Sequence, residues 1–347
     1  MIGILDQFDV DAVNLPALHA LIAERYTPAA QARGMALART WISPPLALTA
    51  TPNTLWILWE LADVGAVWAM RFRAGADPEV AAFWAAADQL CVRRERHYLV
   101  DGDTPGALPQ PLPLGAARVA QANGARETVQ FFLKPNLGAP ALDAWQAALE
   151  ALPQQIPGLQ NIFLARNLEG SFLAGDFTAD LHFTDVDALR AARSSAYWRE
   201  VVQPLHAAAV EREDRVETQL ISGGLRQPRI ANAIKRTAYF RLLPAAKAAS
   251  IAAWERDILD MPVYMAGMQN WSLSRAQGSS WSYVWEQEYA QLGDLLGEYM
   301  LHPHHWSHVD PWFDPEFARR IIDTQLVHAF CPTPASVLAW TLQSGAH

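Results

Sequence analysis

The segment Tyr299-Met300-Leu301-His302-Pro303-His304-His305-Trp306-Ser307-His308 holds four of the chain's ten histidines within seven residues. Histidine is the one side chain whose charge changes near neutral pH without help from its surroundings. A crowd of them beside a tyrosine points to proton transfer or to metal binding. Tyr299, His302 and His305 recur every three residues, a spacing that puts all three on one face of a helix. Pro303 fits only the first turn of that helix. His302 also has a plainer use, as a helix cap or a structural hydrogen bond. His304 and His308 stand at i, i+4, which suits a metal, with Asp310 close by as a third ligand. No glutamate lies between them, so the HExxH pattern is absent. A single histidine on a haem iron is a further option that nothing in the sequence selects.

The rest of the chain bounds what this segment can serve. It has 347 residues, enough for two or three domains, with 51% apolar and 18% charged side chains. Each domain can therefore bury a core, and disorder is disfavoured. The net charge of −9 disfavours a nucleic-acid partner, which needs a basic face. Cys91 and Cys331 form no CxxC pair and read as small buried hydrophobes in a reducing compartment. The start, MIGILDQFDV, lacks a basic n-region and reads as a first strand. No run of 18 apolar residues occurs, so no membrane span is expected and the cytoplasm is the default location. Glycine-rich phosphate loops, a nucleophile elbow and a Rossmann fingerprint are absent, so no nucleotide or nicotinamide cofactor is implied.

An internal repeat supplies the scaffold. Residues 145–167 align without a gap on 254–276. Trp145 meets Trp254, Pro153 meets Pro262, Gly158 meets Gly267, Gln160-Asn161 meets Gln269-Asn270, and Arg166 meets Arg275. In each copy a strand (128–134; 237–243) leads to an amphipathic helix (141–152; 248–261), a Pro/Gly turn, two strands (159–166 and 177–183; 268–275 and 281–288), a helical region and a last strand (215–221; 324–330). That order is βαββαβ, the ferredoxin-like unit. The first hundred residues follow it more faintly, with strands at 1–9, 36–43, 54–61 and 98–100 and helices at 15–33 and 78–96. The fold class is therefore α+β, with three tandem ferredoxin-like units at 1–104, 125–222 and 233–331. The Pro/Gly/Ala-rich stretch 101–124 and residues 222–233 are the joints, and the tail after Pro332 is loose or docks as a helix. Each such sheet has one face covered by its own helices and one apolar face that needs a cover. Three units leave one unpaired, so one internal barrel and a second across a homodimer axis are expected.

These residues carry a resemblance. EALPQQIPGLQNIFLARN followed by GDFTADLHFTDVDALRA in the middle unit resembles the stress-responsive dimeric α/β-barrel (Dabb) family. The third unit resembles the same family, and YMLHPHH is similar to its Tyr-x-x-His-Pro-x-His signature. The match covers 124–331 well and 1–100 only by element order. In the olivetolic acid cyclase branch, the tyrosine and last histidine of the signature perform acid–base catalysis of an aldol-type ring closure. That resemblance implies Tyr299 and His305 as the catalytic pair and puts His302 on the first histidine. The branch also has a first-strand histidine, and Arg236 stands near that place here. The middle unit has Ala192, Ser195 and Trp198 at the signature positions, and the first unit has no histidines there. One working site in the third unit follows.

Strand alternation suggests the walls of that site. Trp281, Tyr283 and Trp285 share a face; Tyr239 and Arg241 share one with Thr237; His328 shares one with Leu326 and Phe330. With Trp306 they suit a flat apolar ligand bearing a few oxygens, and Arg236 or Arg241 can hold a carboxylate or phenolate. Asp310-Pro311-Trp312-Phe313-Asp314-Pro315-Glu316 reads as a closing turn, with Trp312 and Phe313 as a lid. The expected activity is a cofactor-independent lyase or cyclase on a small aromatic or phenolic compound. It covers aldol or retro-aldol carbon–carbon chemistry and decarboxylation. A non-catalytic barrel that binds a hydrophobic ligand or protects other proteins is the alternative, and a haem- or metal-dependent oxidase comes third.

Overall fold

The structure, a computed structural model, describes residues 1–102, 108–114, 118–119 and 122–342. Parts of the expected linker 101–124, the boundary at 104 and the end of the tail lie outside them. In chain order the elements begin with β1 (Ile2–Val10), α1 (Leu15–Leu21), a π-helical turn (Ile22–Tyr26), α2 (Thr27–Ala32), β2 (Ala36–Ser43), β3 (Asn53–Leu61), α3 (Val64–Ala76), α4 (Pro78–Leu90) and β4 (Cys91–Leu99). The chain continues with β5 (Arg118–Val119), β6 (Ala125–Leu133), α5 (Ala139–Glu150), α6 (Leu152–Gln155), β7 (Leu159–Arg166), β8 (Phe177–Phe183), α7 (Val186–Ala192), α8 (Gln203–Ala209) and β9 (Val210–Leu225). It then forms β10 (Ala231–Phe240), α9 (Ala248–Leu259), α10 (Met261–Tyr264), β11 (Met268–Gln277), β12 (Tyr283–Tyr289), π-helical segments Asp294–Tyr299 and His304–Val309, and β13 (Val327–Ala335).

The chain divides into two compact units. One contains Met1–Gln110, Ala245–Ile258 and Met300–Thr324; the other contains Pro111–Pro244, Leu259–Tyr299 and Gln325–His347. In the first, four antiparallel strands lie in the order β2-β3-β1-β4, the ferredoxin-like order. Period-two alternation buries Ile4, Phe8, Leu55, Ile57 and Trp59 on one face, against Leu18, Tyr26, Met70, Phe83 and Trp84. Two expectations fail here. The helix expected at 78–96 stops at Leu90, because Arg94 and Arg96 alternate with Arg93, Glu95 and His97 as strand residues. The helix α3 lies in an apolar stretch without a clear period and was not anticipated; Asp63 caps it by accepting from Ala66 N–H at 2.8 Å.

In the second unit a nine-stranded antiparallel sheet follows the path β13-β10-β12-β11-β9-β6-β8-β7, with β5 pairing beside it on β9. The order within β6–β9 recurs within β10–β13. β9 runs for 16 residues, so its far half reaches β11 and joins the two sets. At the ends of the path, the segment after β7 meets β13 in an isolated bridge, Phe172 with His328, and not in a ladder. The described residues therefore form no closed barrel. The repeated positions take equivalent places. Trp145 and Trp254 are both fully buried, and Pro153 and Pro262 both open short helices. A side chain at Gly158 would come within 2.5 Å of Ala188, and one at Gly267 within 2.5 Å of Glu298, so both turns need close approach.

Candidate active site

Pro303 decides the local geometry of the histidine segment. It has no N–H and disfavours helix at the residue before it, so the helix breaks at His302. Tyr299 ends one π-helical segment and His304 opens the next. The single helical face expected for Tyr299, His302 and His305 is therefore not formed. His302 takes the plainer role: its Nδ1 accepts the His304 N–H at 3.1 Å, and its carbonyl accepts from His305 N–H at 2.9 Å.

Tyr299 falls in the second unit, and residues from Met300 to His308 in the first. In the second unit, Arg236 on β10 and Gln287 on β12 are directly paired across the ladder. Arg236 Nη1 donates to Gln287 Oε1 at 2.7 Å and to the Tyr299 hydroxyl at 3.2 Å, and its Nη2 bonds His328 Nδ1. The guanidinium also lies 5.1 Å from the centre of the Tyr299 ring, and Tyr289 meets that ring edge-on at 6.1 Å. Arg236, Tyr299, Gln287 and Tyr289 are buried, and His328 is half-buried. Because guanidinium only donates, His328 Nδ1 is an acceptor and its proton sits on Nε2. Burial pushes the Tyr289 hydroxyl well above its ordinary pKa, opposed by the Arg236 charge.

The remaining wall residues separate. Tyr283 and Trp285 share the β12 face of Gln287. Tyr239 points to the other face of its sheet, where its hydroxyl donates to Thr128 at 3.3 Å. Trp281 precedes β12 and does not share the face of Tyr283; it packs with Tyr239 and lies 3.7 Å under the Arg241 guanidinium. Arg241 is thus held by Trp281 and, at 3.3 Å, by Ser280. Alternation within a strand separates faces correctly, but it cannot assign a residue that lies just before the strand.

In the first unit, the His305 ring lies 5.0 Å from Trp68, and Trp306 is a core residue set edge-on to Tyr98 at 5.3 Å. His304 Nε2 is 3.0 Å from the Asp257 carbonyl, and His308 Nε2 is 3.5 Å from the Asp257 carboxylate. Against the cost of burial, the bonds from His308 and Trp312 hold the Asp257 carboxyl below its usual range. Asp310 instead pairs with Arg71 at 2.9 Å, so His304, His308 and Asp310 do not converge. Among the described residues no group of three or more potential ligands could hold a metal. Trp312 and Phe313 are buried, the first bonded to Asp257 and the second packed on Trp254, so they form wall and not lid.

The sequence did not flag the charge network around this segment. Glu316 accepts from Tyr26 at 2.6 Å and Arg33 at 2.9 Å and pairs with Arg96 at 2.8 Å, while Arg96 also pairs with Asp6 at 2.6 Å. Asp314 lies 3.5 Å from Arg71. Burial, helped by Glu316 and Asp310 and opposed by Arg71, pushes Asp314 up to about 6. The run of Asp310, Asp314 and Glu316 and the arginines at 33, 71, 94 and 96 were visible, but only tertiary structure pairs them.

No protein-family model matches the chain, and no curated protein matches it. Among solved structures it is similar to an anthrone oxidase-like protein, at 7% identity over 66% of this chain and 97% of that one, with a TM-score of 0.47. A second is an uncharacterized NIPSNAP domain protein from Burkholderia xenovorans, at 20% identity over 30% of this chain and 99% of that one, TM-score 0.25. A third is a dimeric protein of unknown function and ferredoxin-like fold from Bacteroides fragilis, at 16% identity over 27% of this chain and 92% of that one, TM-score 0.24. Scores below 0.5 at these identities leave the fold to be read from the strand order itself. No helix among the described residues is long and apolar enough to cross a membrane. The Dabb likeness remains a resemblance, since no family model carries it.

Proposed function

We propose that the chain is an enzyme of acid–base carbon–carbon chemistry, a lyase or cyclase acting on a small aromatic or phenolic compound. One observation carries this reading: Arg236 joins the Tyr299 hydroxyl and His328 in one buried hydrogen-bonded group. The guanidinium donates to the tyrosine oxygen, and in the proposed complex the hydroxyl is the donor that a substrate carbonyl or phenolate accepts from. The fixed positive charge then stabilises the oxyanion that forms on either side of the transfer. His328 holds the other side of the guanidinium at the half-buried edge. The base is His305 by the resemblance, and its ring rests on Trp68. No step in this reading requires a cofactor. The reading also keeps three tandem ferredoxin-like units and a homodimer. In its support, the uncovered face of the first sheet presents Leu5, Trp56 and Leu58 half-buried and Trp41 exposed.

Turnover of a panel of phenolic and β-hydroxy aromatic compounds, followed by mass spectrometry with chelator present, tests the assignment of the base. Conversion by wild type and not by His305→Ala is the expected result. Equal conversion by both removes His305, and conversion by neither moves the reading to a ligand-binding protein.

A further inference from the structure

Three side chains at alternate positions of β12 end in buried polar atoms with no hydrogen-bond partner among the described residues: Trp285 Nε1, Gln287 Nε2 and the Tyr289 hydroxyl. All three residues are fully buried. Positions i, i+2 and i+4 put them in a row on one face, about 6–7 Å apart from one to the next. Their cross-strand neighbours on that face are Ile234, Arg236 and Ala238 on β10 and Met268, Trp271 and Leu273 on β11, none of which offers a side-chain oxygen or nitrogen acceptor. The orientation of the Gln287 amide is set by Arg236, which donates to its oxygen, so the amide's two N–H groups are the ones left over. Each such atom costs about 1–3 kcal/mol, and native proteins carry few of them without a reason. Here three stand beside the Tyr299–Arg236–His328 group.

We infer that Trp285, Gln287 and Tyr289 form a donor rail for the ligand of this site. The ligand is a flat ring compound carrying acceptor oxygens at two places along one edge, such as an aryl ketone bearing a carboxylate. Trp285 Nε1 and Gln287 Nε2 only donate, so a compound whose edge carries no acceptor oxygen leaves them unmatched. The apolar neighbours Ile234, Trp271 and Leu273 strip water from the rail, which raises the penalty for an unmatched oxygen position. This inference rests on the proposed site, but it concerns binding and not the chemical step.

The test uses 4-acetylbenzoate and 4-isopropylbenzoate, which share a frame and differ by a carbonyl oxygen in place of a methyl group. Binding of each to the full-length protein is measured by calorimetry, for wild type, Tyr289→Phe and Trp285→Phe. Thermal unfolding of all three proteins is run alongside. We expect the ketone to bind wild type at least tenfold more tightly than the hydrocarbon. Tyr289→Phe, which deletes an unpartnered hydroxyl, should raise or leave the Tm of the free protein while weakening the ketone about tenfold. A purely structural tyrosine would do the reverse, lowering the Tm and leaving binding alone, and that result overturns the rail. Equal binding of the two compounds, or binding of neither, overturns it as well. Selective binding of the ketone without turnover of any compound would retain the rail and refute the catalytic reading. Turnover that is indifferent to Tyr289→Phe and Trp285→Phe would retain catalysis and refute the rail.

Discussion

At the residue scale, the site is organised by an arginine and not by a histidine. Arg236 gathers Tyr299, Gln287 and His328 with bonds from one guanidinium, a fork that lysine cannot reproduce. Arg236→Lys is therefore expected to lower kcat/KM at least tenfold, with the charge kept, in steady-state assays on whichever panel compound turns over. His302 behaves differently. Its ring nitrogen caps the His304–Val309 segment, so His302→Ala should lower stability by about 1 kcal/mol in urea unfolding and leave turnover intact. Loss of turnover without loss of stability would return His302 to the chemistry. The sequence offered every one of these residue types. What it withheld was the break at Pro303, which turns a face of three catalytic candidates into one cap and two separately placed groups.

At the element scale, the segment 310–316 is a strap whose three carboxylates are buried among arginines from α3, β4 and the turn after α2. Its pH response follows from the directions of the shifts. Asp314, pushed up to about 6 from 3.8, contributes stability that is full at low pH and is lost as pH rises through about 6. Glu316, which Arg96 and Arg33 hold below 4.5 against the cost of burial, contributes stability that is present above 4.5 and lost as pH falls. The strap should thus dock best near the two ordinary values, between pH 3.8 and 4.5. Thermal unfolding should show a decline between pH 3.8 and about 6 worth at most about 3 kcal/mol, levelling off above, and Asp314→Asn should flatten it. An unchanged profile in that variant would assign the decline to another group. Glu316→Ala should cost about 3–5 kcal/mol, because Arg33 would be left buried and unpaired, and equilibrium unfolding would measure it. Strand positions were legible from period-two alternation and from the repeated Trp, Pro and Gly. The strap was legible only as a turn, because ion pairs between residues 220 to 283 apart leave no local pattern.

At the scale of the whole molecule, the repeat of residues 145–167 in 254–276 matches a repeated strand order, β9-β6-β8-β7 and β13-β10-β12-β11, along the nine-stranded path. It did not foretell that Ala245–Ile258 and Met300–Thr324, helical parts of the third repeat, would group with the first hundred residues. Pairwise repeat alignment reports resemblance between copies and says nothing of which copy an amphipathic face will choose. The exposed Trp41 on edge strand β2, beside half-buried Trp56 and Leu58, makes a face suited to a second copy of the chain. Light scattering should give a dimer for wild type and a monomer for Trp41→Glu; a monomeric wild type would leave that face without this role.

The most direct test of the account is the turnover of the aromatic panel by wild type and Tyr299→Phe, prepared together and compared at equal folded fraction. Tyr299→Phe deletes only the hydroxyl that Arg236 holds. The expected loss is about 10²–10⁴-fold in kcat, the usual size of a lost acid–base contribution, with Tm nearly unchanged. Full activity in Tyr299→Phe on a compound that wild type converts would contradict it.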